Sequence, residues 1–127
     1  MTNILIVDDS STIRKVIMKF MMRAGLPSDG IHEAVDGVQA LEILADKQFD
    51  LIFSDINMPN MDGIEFIATV RKKGITTPII TVSSEGDEEQ FLSVLKAGAG
   101  GCFKKSLFVY LLDQFSALSQ QPQEPAS

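Results

Sequence analysis

Features typical of several other classes of protein are scarce or missing in this sequence. Cys102 is the only cysteine, which excludes an internal disulfide and fits a reducing compartment. No apolar run approaches the roughly 20 residues needed to span a bilayer. The N-terminus also lacks the basic segment and following apolar segment of a signal peptide. We therefore expect a cytoplasmic protein without membrane insertion.

Positively charged side chains and histidine are also scarce. The chain carries 11 Lys and Arg against 17 Asp and Glu, a formal net charge of −6, which argues against a nucleic-acid surface. His32 is the only histidine and has no cysteine beside it, so a metal role for it is disfavoured. The length of 127 residues and a hydrophobic content of 45% are ordinary for one globular domain with a real core.

Short apolar runs alternate with stretches that carry one apolar stripe at helical spacing. The runs predict five strands, and the stripes predict five helices. The predicted strands are Ile4–Val7, Ile31–Val35, Phe49–Ser54, Pro78–Val82 and Cys102–Lys104. The predicted helices follow these strands and cover about residues 10–25, 36–45, 64–73, 85–97 and 106–118. In the second helix the predicted core stripe is Val38, Leu41, Leu44 and Ala45.

This alternation predicts the fold class. Strands that alternate with helices favour an α/β protein with a parallel sheet and helices on both faces. Because the second strand is short and suits an edge, we expect a flavodoxin-like (βα)5 doubly wound sheet with strand order 2-1-3-4-5. Residues 1–119 form one predicted domain. Residues 120–127 contain two prolines and no apolar cluster, which predicts a disordered tail or the stub of a linker.

Polar side chains stand at the carboxyl ends of four predicted strands. Asp8 and Asp9 follow the first strand, and Asp55, Ser83 and Lys105 follow the third, fourth and fifth. Three converging carboxylates repel each other unless a cation joins them, and such oxygen ligands suit Mg²⁺. A lysine and a hydroxyl nearby can bind phosphate oxygens. The set predicts a place where a phosphoryl group is held while Asp55 attacks it.

The sequence resembles the receiver domains of two-component response regulators, most of all the stand-alone chemotaxis regulators of the CheY type. The resemblance covers about residues 3–118 and is carried by the segments ILIVDDSSTIRK, DLIFSDINMPNMDGIEF, PIITVSS and KAGAGGCFKKSL. It implies that Asp55 is the phosphoacceptor. It also implies that Asp8, Asp9, Asp55 and the backbone carbonyl of Asn57 hold Mg²⁺, for which Mn²⁺ could substitute.

The resemblance implies further roles and partners. Ser83 and Lys105 would bind the phosphoryl oxygens, while Asn57 and Glu85 would adjust self-dephosphorylation. The chain would catalyse only its own phosphorylation and dephosphorylation, with a histidine kinase or phosphotransfer protein as donor. Because no effector domain follows, we expect output through protein contact in chemotaxis, for example with a flagellar motor switch component. The alternatives are a phosphorelay intermediate, a phosphate sink, or a receiver excised from a larger regulator.

Two positions depart from the family pattern. Ser106 stands where the family usually has a proline, often after a cis bond, and a cis bond before a non-proline costs about 2.5–4 kcal/mol. Cys102 occupies the switch position, which is normally aromatic, and it cannot make the same inward ring rotation. We expect the core chemistry to survive both changes and the route to the output surface to differ.

One face of the first helix has an unusual composition. Met18 and Met22 fall outside its apolar stripe and share the polar face with Arg14 and other basic side chains. They are either ordinary exposed residues or an adaptable contact for a partner. With Cys102 and Tyr110 they make up a candidate partner surface. The sequence leaves the oligomeric state open.

Three other classes of protein share part of this pattern. A phosphatase with an aspartyl nucleophile normally has a second acid two residues on, where this chain has Asn57. A flavin-binding flavodoxin-like protein needs a phosphate loop rich in Ser, Thr and Gly after the first strand, where Asp8 and Asp9 would repel phosphate. A degenerate receiver that binds partners without phosphorylation is disfavoured, because all five site residues are present.

Overall fold

The computed structural model describes residues 2–83, 88–104, 106 and 110. Lys105, Glu85 and most of the predicted fifth helix lie outside the described residues, as do residues 120–127. The expected roles of Lys105 and Glu85, the domain boundary at residue 119 and the geometry of the bond before Ser106 therefore stay predictions.

Strands and helices alternate along the described chain. The strands are β1 (Ile4–Val7), β2 (Ile31–Ala34), β3 (Leu51–Asp55), β4 (Ile79–Ser83) and β5 (Gly101–Lys104). The helices are α1 (Ser11–Arg23), α2 (Gly37–Asp46), α3 (Gly63–Lys72) and α4 (Glu88–Ala97), with a short 3-10 turn at Ser28–Gly30. No helix in the described ranges combines the length and the apolar character needed to cross a membrane.

The five strands form one parallel sheet in the order β2-β1-β3-β4-β5, which confirms the predicted doubly wound fold. Val7 pairs with Ala34 on one side and with Ser54 on the other, so β1 lies between β2 and β3. This register brings the residues that follow Val7 and Ser54 to the same edge of the sheet. The carboxyl ends of β1 and β3 therefore meet, as the predicted strand order requires.

Core side chains cover both faces of the sheet. All four residues of β1 are buried, as expected for a strand with helices on both sides. On one face, Ile17 and Met21 of α1 pack with side chains of β1, β2, β3 and β4. On the other face, buried residues of α2, α3 and α4 pack with the sheet. The two layers hold the strand ends in fixed positions.

Side-chain caps set where three helices begin at the carboxyl edge of the sheet. Ser10 Oγ accepts a hydrogen bond from the Ile13 amide at 3.4 Å. Asp36 caps α2 and Asp62 caps α3, each through a 2.8 Å bond from the backbone N–H three residues on. Such caps satisfy donors that have no partner inside the helix.

The predicted core stripe of α2 is wrong in part. Val38 is 42% exposed and Ala45 is exposed, whereas Ala40 is fully buried and Ile43 packs against the core. The buried face of α2 differs from the predicted stripe because small residues occupy the positions where the helix lies closest to its neighbours. A Cβ at Gly37, for example, would lie 2.9 Å from the sulfur of Met61.

The expected exposure of two methionines on α1 is confirmed for one of them only. Met22 is 46% exposed, but Met18 is half-buried and packs against the core cluster beneath α1. The placement of Met18 away from the core was therefore wrong, since its long flexible side chain reaches the core from the edge of the stripe. A partner role for the two residues stays a prediction.

Candidate functional site

Three carboxylates meet at the carboxyl edge of the sheet. Asp8 and Asp9 follow β1, Asp55 ends β3, and one carboxylate oxygen from each lies within 4.8 Å of the others. Asp8 is 1% exposed and Asp55 is 5% exposed, while Asp9 is exposed. Buried carboxylates this close together repel one another strongly. The juxtaposition predicted from the strand ends is present in the structure.

Asp8 is held by groups from three directions. Its backbone N–H donates to the carbonyl of Ala34 at 3.1 Å, which extends the β1–β2 pairing by one residue. Its side-chain Oδ1 accepts from the amide of Ser10 at 2.8 Å. Its carbonyl oxygen accepts from Nη1 of Arg14 at 2.6 Å. Both the main chain and the carboxylate of Asp8 are therefore fixed before any ligand binds.

Asp55 is oriented by the backbone that follows it. Its Oδ1 accepts hydrogen bonds from the amides of Ile56 at 2.7 Å and Asn57 at 3.4 Å. Bonds from N–H groups to a carboxylate are stronger than those between neutral groups. They fix the direction in which the second oxygen of Asp55 points.

Gly63 allows α3 to begin directly against β3. A Cβ at this position would lie 2.3 Å from the carbonyl oxygen of Asp55 and 2.7 Å from Cα of Ile56. The Gly63 amide donates to the carbonyl of Ile56 at 2.7 Å. Sequence reasoning did not identify this contact, for which the available signal was a glycine directly after the capping residue Asp62.

The loop between β3 and α3 is tied to the start of α2. Asn60 has a φ of 68°, in the left-handed region, and its Nδ2 donates to Oδ2 of Asp36 at 2.8 Å. The backbone bond from Gln39 and the side-chain bond from Asn60 lower the pKa of Asp36. Asn57, whose carbonyl is a predicted metal ligand, lies in the same loop and is exposed.

The remaining predicted residues lie on β4, on β5 and beyond them. Ser83 is the last residue of β4, is buried and pairs in register with Lys104. Asp55 pairs with Val82, so Ser83 lies one residue beyond the position opposite Asp55. Cys102 is half-buried, pairs with Thr81 and packs against the core. Tyr110 is exposed.

The donor set of the acidic cluster fits a hard divalent cation. All three side chains offer carboxylate oxygens, and Mg²⁺ prefers one or two carboxylates with waters and phosphate oxygens completing its shell. Exposure of Asp9 leaves room for such ligands on one side of the cluster. A cation there would offset the mutual repulsion of the buried pair.

Comparison with known families gives one match over most of the chain. The model of the response regulator receiver domain matches residues 4–113. Among curated proteins, the chain is 38% identical over 105 residues to a chemotaxis protein CheY homolog of Campylobacter jejuni. That alignment covers 80% of this chain and 79% of the Campylobacter protein.

Solved structures give the same result. The chemotaxis protein CheY4 of Vibrio cholerae has a TM-score of 0.74 at 32% identity and covers 91% of this chain and 98% of its own. The response regulator TrrA of Thermotoga maritima, solved in complex with Mg²⁺-BeF, has a TM-score of 0.75 at 30% identity. It covers 93% of this chain and 99% of its own.

Proposed function

This chain belongs to the family of response regulator receiver domains, and we propose that it is a phosphorylation-activated switch of a two-component system. Its similarity to CheY homologs confirms the resemblance read from the sequence. Proteins of this family are signalling proteins rather than classical enzymes. One observation carries the proposal: Asp55 ends β3 as a buried carboxylate, with oxygens of Asp8 and Asp9 within 4.8 Å.

Asp55 is the proposed phosphoacceptor. The nucleophile is a carboxylate oxygen of Asp55, whose side chain is oriented by the two backbone amides that donate to it. The new bond joins this oxygen to phosphorus, and the bond from phosphorus to the donor breaks. Its electron pair stays with the donor, which is a histidine nitrogen of a kinase or the acetate oxygen of a small phosphodonor.

Asp8, Asp9, Asp55 and the carbonyl of Asn57 would hold Mg²⁺, with Mn²⁺ as a substitute. A cation bound there would neutralise negative charge on the oxygens of the phosphoryl group during transfer. The acidic cluster supports this assignment, as does the relationship to TrrA, which was solved with Mg²⁺-BeF. Asp8 contributes a carboxylate that Ser10 already orients, so little reorganisation is needed on binding.

The proposed output follows from the acyl phosphate on Asp55. We assign Ser83 and Lys105 to its oxygens, and Asn57 and Glu85 to the control of its hydrolysis. Inward movement of Ser83 and Lys105 would shift an existing equilibrium between inactive and active forms. The signal would then pass by protein contact in the cytoplasm, in chemotaxis. A flagellar motor switch component is the expected target.

Intact-protein mass after incubation with Mg²⁺ and acetyl phosphate tests the proposal. We expect a labile phosphoryl adduct on the wild-type protein and none on Asp55→Asn, which keeps the size of the side chain but not its nucleophilic carboxylate. A second incubation uses a phosphorylated histidine kinase as donor. Lack of an adduct with both donors, in protein that binds Mg²⁺, would overturn the assignment of Asp55 and favour a degenerate receiver.

A further inference from the structure

We propose that Arg14 is a positioning residue for metal binding, acting through the peptide group that joins Asp8 to Asp9. The inference rests on the proposed function of the acidic cluster as a Mg²⁺ site. Sequence reasoning placed Arg14 on the polar surface of the first helix. In the structure its side chain is only 14% exposed and it bridges two other segments of the chain.

The guanidinium of Arg14 binds two acceptors in different directions. Nη1 donates to the carbonyl oxygen of Asp8 at 2.6 Å, and Nε donates to Oε1 of Glu33 at 2.9 Å. Glu33 belongs to β2, so Arg14 connects helix α1 to the ends of two neighbouring strands. A planar guanidinium with both donors engaged is fixed in orientation, which a lysine ammonium cannot reproduce.

The carbonyl that Arg14 binds controls the direction of the chain into Asp9. Because the peptide unit is planar, fixing the oxygen of Asp8 also fixes the N–H and Cα of Asp9. Asp9 is the exposed member of the cluster, so packing does little to set the position of its carboxylate. The backbone direction that Arg14 holds, together with the bond from the Ser10 amide to Asp8, therefore keeps Asp9 beside Asp8 and Asp55.

A positioning role and a purely electrostatic role for Arg14 predict opposite effects of its removal on Mg²⁺ affinity. Arg14 is a cation near a proposed cation site, so removal of its charge alone would strengthen Mg²⁺ binding. Loss of the backbone anchor would weaken binding, because Asp9 would then have to be ordered when the metal binds. Glu33 offsets part of the charge of Arg14 and leaves its hydrogen-bonding role in place.

Calorimetric titration of the unphosphorylated full chain with Mg²⁺ tests the inference. Removal of a group that orients a metal ligand typically weakens affinity about tenfold or more, and we expect a rise in Kd of about tenfold for Arg14→Ala. Arg14→Lys should give an intermediate Kd, because an ammonium reaches one acceptor but not both. Lys15→Ala is the matched control, since it removes the same charge from the next, exposed residue.

The direction of the change in Kd for Mg²⁺ decides between the two roles of Arg14. An unchanged or lower Kd for Arg14→Ala would overturn the inference, as would a rise of equal size for Lys15→Ala. Thermal unfolding of each variant is measured alongside. If Arg14→Ala does not fold, Arg14→Lys and Glu33→Gln replace it. Glu33→Gln keeps an oxygen for Nε and should raise the Kd less than Arg14→Lys does, and a wild-type Kd for Arg14→Lys would contradict the proposal.

The proposed function fails separately from this inference. Wild-type protein that binds Mg²⁺ but forms no phosphoryl adduct would remove Asp55 as acceptor and leave the Arg14 comparison intact. Wild-type protein that binds no Mg²⁺ would remove the metal site, and the inference about Arg14 with it.

Discussion

The β1–α1 corner and the β3–α3 corner each contribute carboxylates to the acidic cluster, but they hold them by different means. In the first corner residues 8–10 connect strand to helix, and Asp8 is bound by groups from β2, from α1 and from Ser10. In the second, residues 56–62 form the connection, and Asp55 is bound by the two amides that follow it.

The difference shows which properties a substitution in each corner should affect. The first is anchored by a charged side chain, Arg14, and its replacement by a smaller residue removes a hydrogen bond without forcing an atom against the backbone. The second depends on close backbone approach at Gly63 and on a left-handed residue, Asn60. Substitutions should therefore tune metal binding through the first corner and test the packing of the fold through the second.

The largest effect is expected at Gly63. Gly63→Ala places a methyl group 2.3 Å from the carbonyl oxygen of Asp55, where only the backbone could give way. We expect a loss of about 3 kcal/mol in the free energy of unfolding, or failure to fold. Urea denaturation followed by circular dichroism measures the loss.

Gly37→Ala is the matched control for that substitution. Its methyl group would also be crowded, at 2.9 Å, but the neighbour is the sulfur of Met61, a flexible side chain that can move. We expect a cost of about 1 kcal/mol or less. Equal losses for the two variants would show that close backbone approach at Gly63 is not the constraint.

A smaller effect is expected at Asn60. Asn60→Ala removes the hydrogen bond to Asp36 and places a less suitable residue at a φ of 68°, so it should cost about 1–2 kcal/mol. Asn60→Gly removes the same bond but accepts the backbone conformation, and should cost about 0.5–1 kcal/mol. Equal denaturation midpoints for the two variants would mean that the conformation carries none of the cost.

Much of the fold and the acidic cluster could be predicted because their signals are local in the chain. Apolar runs mark the strands, and strand order brings their terminal residues together. The contacts that orient the cluster join distant segments, as in the bonds of Arg14 with Glu33 and of Asn60 with Asp36. The spacing of apolar residues along the chain does not predict such contacts. Packing also decided the exposure of Met18 and Val38, where residue size outweighed position on the helix.

The smallest predicted effect is a pH dependence that runs through Asp36, between the start of α2 and the β3–α3 loop. The bond from the Gln39 amide, and then that from the Asn60 side chain, lower the pKa of this carboxyl in the folded protein. A folded pKa below the unfolded value of about 3.9 means that the ionised group stabilises the fold above that pH. This stabilisation is lost as the pH falls through the folded pKa.

Urea midpoints of the wild type and of Asp36→Asn, measured across the acid range, test this dependence. The stability difference between them should be constant well above pH 4 and shrink below it, because only the wild type can lose charge there. In Asn60→Gly the loss should be smaller and should end at a higher pH, since one of the hydrogen bonds that lower the pKa of Asp36 in the folded protein is absent. Parallel profiles for wild type and Asp36→Asn would show that the ionised form of Asp36 does not stabilise the link between the loop and α2.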